Sequence, residues 1–173
     1  MRSVTRNLCL AAISAVLVAP ALPSKAESTP PPGGANQISA MSGRVGQRIF
    51  NGVLRVTVQT VHDATADDHP EKDLPSPGQK IIVMRVLLNN GSPGTFDALM
   101  IYTLADADSI TKTISQPYVH PAGLNIEQGA SALQTVHVPV DKDYKPVKLL
   151  IECGGCPVAM HFRPLRITIP STP

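Results

Sequence analysis

Tryptophan is absent from this sequence of 173 residues, and aromatic residues make up only 3% of it. A hydrophobic core must therefore be built mainly from Val, Ile, Leu and Met. Charged residues are also few, at 16%, whereas proline (17) and glycine (12) are abundant. Many turn formers and few charges favour short strands joined by turns over long helices, so the composition predicts an all-β protein.

Positive charge is scarce in the part of the chain expected to fold. Arg2, Arg6 and Lys25 all precede Glu27, the first acidic residue, which leaves 12 basic against 13 acidic residues from there onward. A near-neutral chain without a basic stripe lacks the charge that binding to phosphate backbones requires. We therefore exclude nucleic acid as a partner and expect an unknown protein or small-molecule ligand.

Residues 1–26 have the three parts of an export signal. Two arginines and no acid precede an apolar run at residues 8–19, and Pro20 ends that run. The run is shorter than the roughly 20 apolar residues that a membrane-spanning helix needs. We expect export to the periplasm or secretion beyond it, with no membrane anchor after cleavage.

The cleavage site is predicted before Glu27, because Ser24 and Ala26 place small residues at positions −3 and −1. An alternative cut follows Ala21. Cys9 lies at the start of the apolar run, whereas a lipoprotein cysteine would end it. This position favours a soluble product over a lipid-anchored one.

The mature chain divides into a linker and one domain. Residues 27–45 are rich in Pro, Gly and Ser without periodicity, which predicts a disordered linker. Residues 46–170 alternate strand-like runs with turn signals, and strands are predicted at 48–50, 53–61, 80–89, 98–104, 110–114, 132–138, 148–153 and 165–169.

Two of these runs predict which side chains are buried. Leu54, Val56 and Val58 alternate with Arg55, Thr57 and Gln59, as a strand with one buried face requires. Residues 80–89 are almost continuously apolar, which predicts a central strand covered on both faces. The polar segment 62–79 between them exceeds the usual loop length, and such loops are commonly functional or mobile.

The order of these patterns resembles a known family. The matching segments are 52–58, 80–90, 102–108, 129–132, 136–139 and 148–151. Over about residues 46–170 the chain resembles the immunoglobulin-like family of unknown function found in exported bacterial lipoproteins and mycobacterial secreted immunogenic proteins. The resemblance implies an immunoglobulin-like antiparallel β-sandwich of seven to eight strands, and it transfers no functional residue. A lipobox is missing here, and the Cys153/Cys156 pair is not part of that family's pattern.

Cys153 and Cys156 are the only cysteines left after signal removal, and two glycines separate them. In an oxidising compartment this spacing favours a disulfide that pins the loop before the last strand. Redox or metal use remains as the alternative. Thioredoxin-like chemistry needs the first cysteine at a helix N-terminus, whereas this pair follows a β run. Haem attachment needs a histidine where Pro157 stands.

Two groups of residues are candidate metal ligands. Cys156 and His161 have the spacing of copper sites in β-sandwich proteins, which also need an upstream histidine and usually an axial methionine. No methionine follows His161, and the upstream candidates are His62, His69, His120 and His137. Independently, His62, Asp67, Asp68 and His69 gather imidazole and carboxylate groups that could hold a divalent ion, or they are solvated residues of the loop.

Motifs of catalysis are absent from the sequence. It contains neither G-x-S-x-G nor H-E-x-x-H, and its one S-x-x-K match, at residues 109–112, falls on a presumed strand rather than a helix. We therefore expect a non-catalytic binding or interaction module without a cofactor. The alternative is a small metal-binding (copper-type) or thiol-redox protein that uses the loop of Cys153, Cys156 and His161.

We predict that the exported protein begins at Glu27, because the residues before it fit the small pockets of the signal-cleaving protease. Intact-mass measurement of the protein recovered from the exported fraction checks this. A mature product that still contained residues 8–19 would contradict the export hypothesis.

Overall fold

The computed structural model describes residues 40–68, 75–114, 118–157 and 160–170, and they form a β-sandwich. Within them lie eleven strands and a 3-10 turn at Ala66–Asp68. The strands are β1 (Met41–Arg44), β2 (Arg48–Phe50), β3 (Leu54–Asp63), β4 (Gln79–Asn90), β5 (Phe96–Asp106), β6 (Thr111–Ile114), β7 (Val119–His120), β8 (Leu124–Ile126), β9 (Ser131–Asp141), β10 (Pro146–Gly154) and β11 (Leu165–Thr168). No helix in the described ranges is long and apolar enough to cross a membrane.

Two sheets pack face to face. One has the order β1-β11-β10-β5-β6, with β8 also pairing with β5, and the other has the order β2-β3-β4-β9-β7. Pairing is antiparallel except between β1 and β11. In the lettering of immunoglobulin domains, β3, β4, β9 and β7 correspond to strands A, B, E and D, and β5, β6, β10 and β11 to C, C′, F and G. The predicted all-β sandwich is confirmed.

The strand count exceeds the predicted seven to eight because three short strands were missed. They are β1, β7 and β8, each of two to four residues, whereas β2 matches the strand predicted at residues 48–50. Runs this short show too little alternation to be recognised from sequence.

The strand β1 also lies inside the segment predicted as linker. The structure corrects that boundary: Met41 pairs with Leu165 and packs against the core, so the sandwich begins before residue 46.

The core lies between the sheets, and the predicted alternation is confirmed. Leu54, Val56 and Val58 are at most 1% exposed, whereas the residues between them face outward. The strand β4 is covered on both faces, as predicted, because four consecutive residues from Ile81 to Met84 are all buried. With no tryptophan to fill space, the interior is dominated by aliphatic side chains.

One buried hydrogen bond joins the two sheets through the core. The Tyr102 hydroxyl on β5 donates to Gln134 Oε1 on β9 at 2.5 Å, and both side chains are fully buried. Gln134 Nε2 in turn donates to the carbonyl of Pro121 at 2.8 Å. Burial raises the pKa of Tyr102, so its hydroxyl stays protonated and remains a donor. The pair fixes the relative register of the sheets, which apolar contacts alone leave less specified.

We predict opposite sensitivities at two neighbouring positions of β3. Val56→Asp buries a carboxylate with no partner among aliphatic side chains, so it should unfold the domain at neutral pH. The side chain at position 57 lies on the outer face, so Thr57→Asp should lower the free energy of unfolding by no more than about 1 kcal/mol. Circular dichroism and urea denaturation of both variants check this. An equal loss of stability in the two variants would contradict the assignment of Val56 to the buried face of β3.

Candidate functional site

The loop that joins β10 to β11 begins with a disulfide. Cys153 and Cys156 are bonded through their sulfur atoms, with their Cα atoms 5.6 Å apart. Gly155 between them has φ +82°, a conformation that a side chain would strain, so the glycine permits the tight turn. The pairing predicted from sequence agrees with this geometry. Because Gly154 is paired with Leu99 on β5, the disulfide is anchored directly to the end of a central strand.

Asn51 holds the second half of this loop from the other sheet. Its backbone carbonyl accepts a hydrogen bond from Arg163 N at 3.2 Å, and its side-chain Nδ2 donates to Arg163 O at 3.2 Å. Its Oδ1 accepts from the backbone N–H groups of Val53 and Leu54 at 3.1 and 2.8 Å. Asn51 is completely buried, and its bonds to Val53 and Leu54 are made away from water. The loop is therefore tied at both ends to the sandwich.

Glycine at position 52 allows the loop before β11 to lie close to the backbone that precedes β3. Its φ is +103°, and a Cβ atom at this position would lie 3.0 Å from the carbonyl oxygen of His161. A larger residue would push the loop away. The sequence pair Asn51-Gly52 indicated a turn, but it gave no sign that the turn receives a loop about a hundred residues further along the chain.

A surface pocket of about 320 Å³ opens beside the disulfide. Cys153, Cys156 and three apolar residues form its walls: Pro157, Phe162 and Pro164. This volume lies near the lower end of the range for small-molecule sites, about 300–1,000 Å³.

Glu152 and His161 provide the ionisable groups of the pocket. In the described part of the chain, neither side chain has a hydrogen-bond or ion-pair partner. His161 has φ +52°, an uncommon backbone conformation for a residue other than glycine. Glu152, His161 and Phe162 therefore place a carboxylate, an imidazole and an aromatic ring around the same pocket.

The copper-type candidates are only partly brought together. Cys156 and His161 line the same pocket, but the Cys156 sulfur is in the disulfide and offers no thiolate. His120 and His137 lie side by side on β7 and β9, with ring centroids 5.4 Å apart. His62 lies near the far end of β3 from Asn51, roughly 30 Å away at about 3.3 Å per residue. The structure thus does not bring His62 to His161.

The other predicted cluster forms a closed turn after β3. His62 Nε2 is 3.1 Å from Asp68 Oδ2, and Thr65 donates to the same oxygen from both its backbone and its hydroxyl at 2.8 Å. The hydrogen bonds from Thr65, followed by His62, lower the pKa of Asp68. Asp67 is exposed, and His69 lies outside the described residues. Across the described ranges, no three His, Cys, Asp or Glu side chains are grouped as a metal would require.

Comparison with known proteins gives three solved structures of limited similarity and no match in sequence. No protein-family model and no curated protein matches the sequence. An uncharacterized β-sandwich protein from Clostridium difficile 630 superposes with a TM-score of 0.48 at 7% identity, covering 76% of this chain and 95% of that one. The putative ApaA protein from Bordetella pertussis gives 0.37 at 15% identity, covering 68% and 88%. A structural-genomics target gives 0.42 at 10% identity, covering 70% and 91%.

We expect Cys153 and Cys156 to be oxidised to each other in the exported protein. Peptide mass spectrometry without reductant checks the linkage. Cys153→Ser should lower the free energy of unfolding by only about 2 kcal/mol, because the closed loop is very short. Two free thiols together with bound copper or zinc would contradict this expectation.

Proposed function

We propose that this chain is an exported, non-catalytic binding module whose ligand site is the pocket beside the Cys153–Cys156 disulfide. The observation that carries the proposal is a pocket of about 320 Å³ lined by Glu152 and His161, two polar groups without partners among the residues that the structure describes. Pockets with apolar walls and a few converging polar groups are the usual form of small-ligand sites.

The rigidity of the loop supports a binding role. The disulfide closes one end of it, and Asn51 holds the other end through two hydrogen bonds to Arg163. A loop already held in one conformation loses little entropy when a ligand binds, which favours affinity. In the immunoglobulin lettering this is the F–G loop, one of the loops that variable domains use for recognition.

The chemistry of the walls limits the ligand class. Phe162, Pro157 and Pro164 offer an apolar surface, and Glu152 and His161 offer one carboxylate and one imidazole. A small molecule or a peptide side chain with an apolar body and a hydrogen-bond donor fits this combination.

Export and family membership belong to the same proposal. The leader at residues 1–26 supports transport to the periplasm or secretion. The pattern shared over residues 46–170 supports membership in the immunoglobulin-like family of exported bacterial proteins. A rigid, disulfide-containing sandwich is well suited to an oxidising compartment.

Screening of small-molecule fragments by NMR on the labelled, oxidised mature chain tests the binding site. We expect fragments that bind to shift the resonances of Glu152, Cys156, His161 and Phe162. Phe162→Ala should weaken the binding of these fragments about tenfold, because it removes the largest apolar contact of the pocket.

Ile110→Ala is the matched control for that experiment. Ile110 is 61% exposed at the β5–β6 turn and does not line the pocket, so its loss should leave fragment affinity unchanged. Shifts spread over the surface, or confined to another region, would overturn the proposed site.

Thiol–disulfide exchange is a second candidate function, favoured by the position of the disulfide in the pocket wall. A thiolate of a partner would attack one sulfur, forming a mixed disulfide and releasing the other cysteine as a thiolate. Incubation with reduced glutathione separates the candidates. A mixed disulfide that accumulates at Cys153 or Cys156 supports exchange, and a pair that stays oxidised supports binding alone.

A further inference from the structure

Two arginine side chains from neighbouring strands converge on one neutral oxygen atom. Arg48 Nη2, from β2, lies 3.4 Å from Asn89 Oδ1, and Arg55 Nη1, from β3, lies 3.5 Å from the same atom. Both arginines are exposed on the outer face of the sheet. The two nitrogen atoms, each of a positively charged group, are therefore no more than about 7 Å apart.

No carboxylate of the described residues forms an ion pair with either arginine. Among the described residues, neither Arg48 nor Arg55 has an ion-pair partner, and the ion pairs formed are His62–Asp68 and Lys80–Asp63. An amide oxygen carries only a partial charge, so it leaves most of the repulsion between the guanidinium groups uncompensated.

The neighbouring residues hold this arrangement in place. Asn89 Nδ2 donates to the carbonyls of Gly129 and Ala130 at 2.9 and 3.0 Å and to Ser131 Oγ at 3.1 Å. These bonds set the orientation of the amide, because its nitrogen faces three acceptors and its oxygen must then face the arginines.

Phe50 and Gly91 position the Arg55 guanidinium. Its Cζ lies 5.2 Å from the centre of the Phe50 ring, a cation–π contact, and the ring itself is 45% exposed. A Cβ atom at position 91 would lie 2.5 Å from Arg55 Nη1 and 3.0 Å from Phe50 Cε2. The missing side chain of Gly91 is therefore what lets both groups lie over the loop backbone.

We propose that Arg48 and Arg55 form a binding site for the phosphate or sulfate group of a ligand. Guanidinium groups recognise oxyanions through pairs of parallel N–H donors. Two such groups need more acceptor oxygens than the two of a carboxylate, which favours a tetrahedral anion. The site shares no residue with the pocket beside the disulfide, so it is independent of the function proposed above.

Titration of inorganic phosphate, sulfate and acetate into the oxidised mature chain, at constant ionic strength, tests the site. NMR should show saturable shifts at Arg48, Arg55 and Asn89 for phosphate and sulfate, and acetate should bind with about tenfold lower affinity. Arg48→Gln and Arg55→Gln should each weaken the binding of phosphate about tenfold, because each substitution removes a charge-assisted pair of hydrogen-bond donors.

Arg85→Gln is the matched control. Arg85 is exposed on the same face of the sheet, opposite Thr60 and Thr135, and its removal changes the net charge by the same amount. We expect phosphate affinity to stay within about twofold, since exposed charges at a distance are screened. An equal loss in Arg85→Gln would show a general charge effect and overturn the site.

Gly91→Ala tests the geometry without removing charge. The added methyl group displaces only the ends of two side chains, so the melting temperature should hardly change while phosphate binding weakens. Absence of saturable shifts at high-millimolar phosphate in the unmodified chain would overturn the proposal. So would acetate binding as tight as phosphate binding.

Discussion

Two aliphatic sheet faces pack against each other and are joined by the Tyr102–Gln134 hydrogen bond, and this packing positions every loop of the sandwich described above. Immunoglobulin domains commonly fix their two sheets with a buried tryptophan and an inter-sheet disulfide. This sequence has no tryptophan, and its Cys153–Cys156 disulfide closes a loop instead of bridging the sheets. Burial of many Val, Ile and Leu side chains therefore supplies the stability, and the buried tyrosine and glutamine supply the register.

Asn51 connects the core to the loop before β11. It precedes β3, whose alternate residues lie in the core, and it holds the loop before β11 through Arg163. A buried amide whose oxygen and nitrogen both have hydrogen-bond partners is costly to move, because any shift leaves polar atoms without partners. The disulfide performs the same task on the other side of the loop. The pocket owes its shape to these two anchors together.

The two proposed sites lie on either side of the segment that contains Asn51. Residue 52 contacts the pocket loop through His161, and Phe50, which precedes Asn51, contacts Arg55 of the arginine pair. The pocket offers one carboxylate and one imidazole, whereas the arginine pair offers only positive charge. The two surfaces therefore suit ligands of different chemistry.

Four features could be predicted from the amino-acid sequence: the all-β class, the inward-facing residues of β3, the double burial of β4 and the cysteine pairing. Each of these follows from a local pattern: alternation of period two, an apolar run, or two cysteines separated by glycines. Other features emerged with the folded chain: β1 joins the sandwich, Asn51 holds residue 163, His62 and His161 lie far apart, and Arg48 and Arg55 share one oxygen. Near-neutral composition concealed that local concentration of charge. Contacts between distant segments depend on which strands pair and in what register, and no short stretch of sequence carries that information.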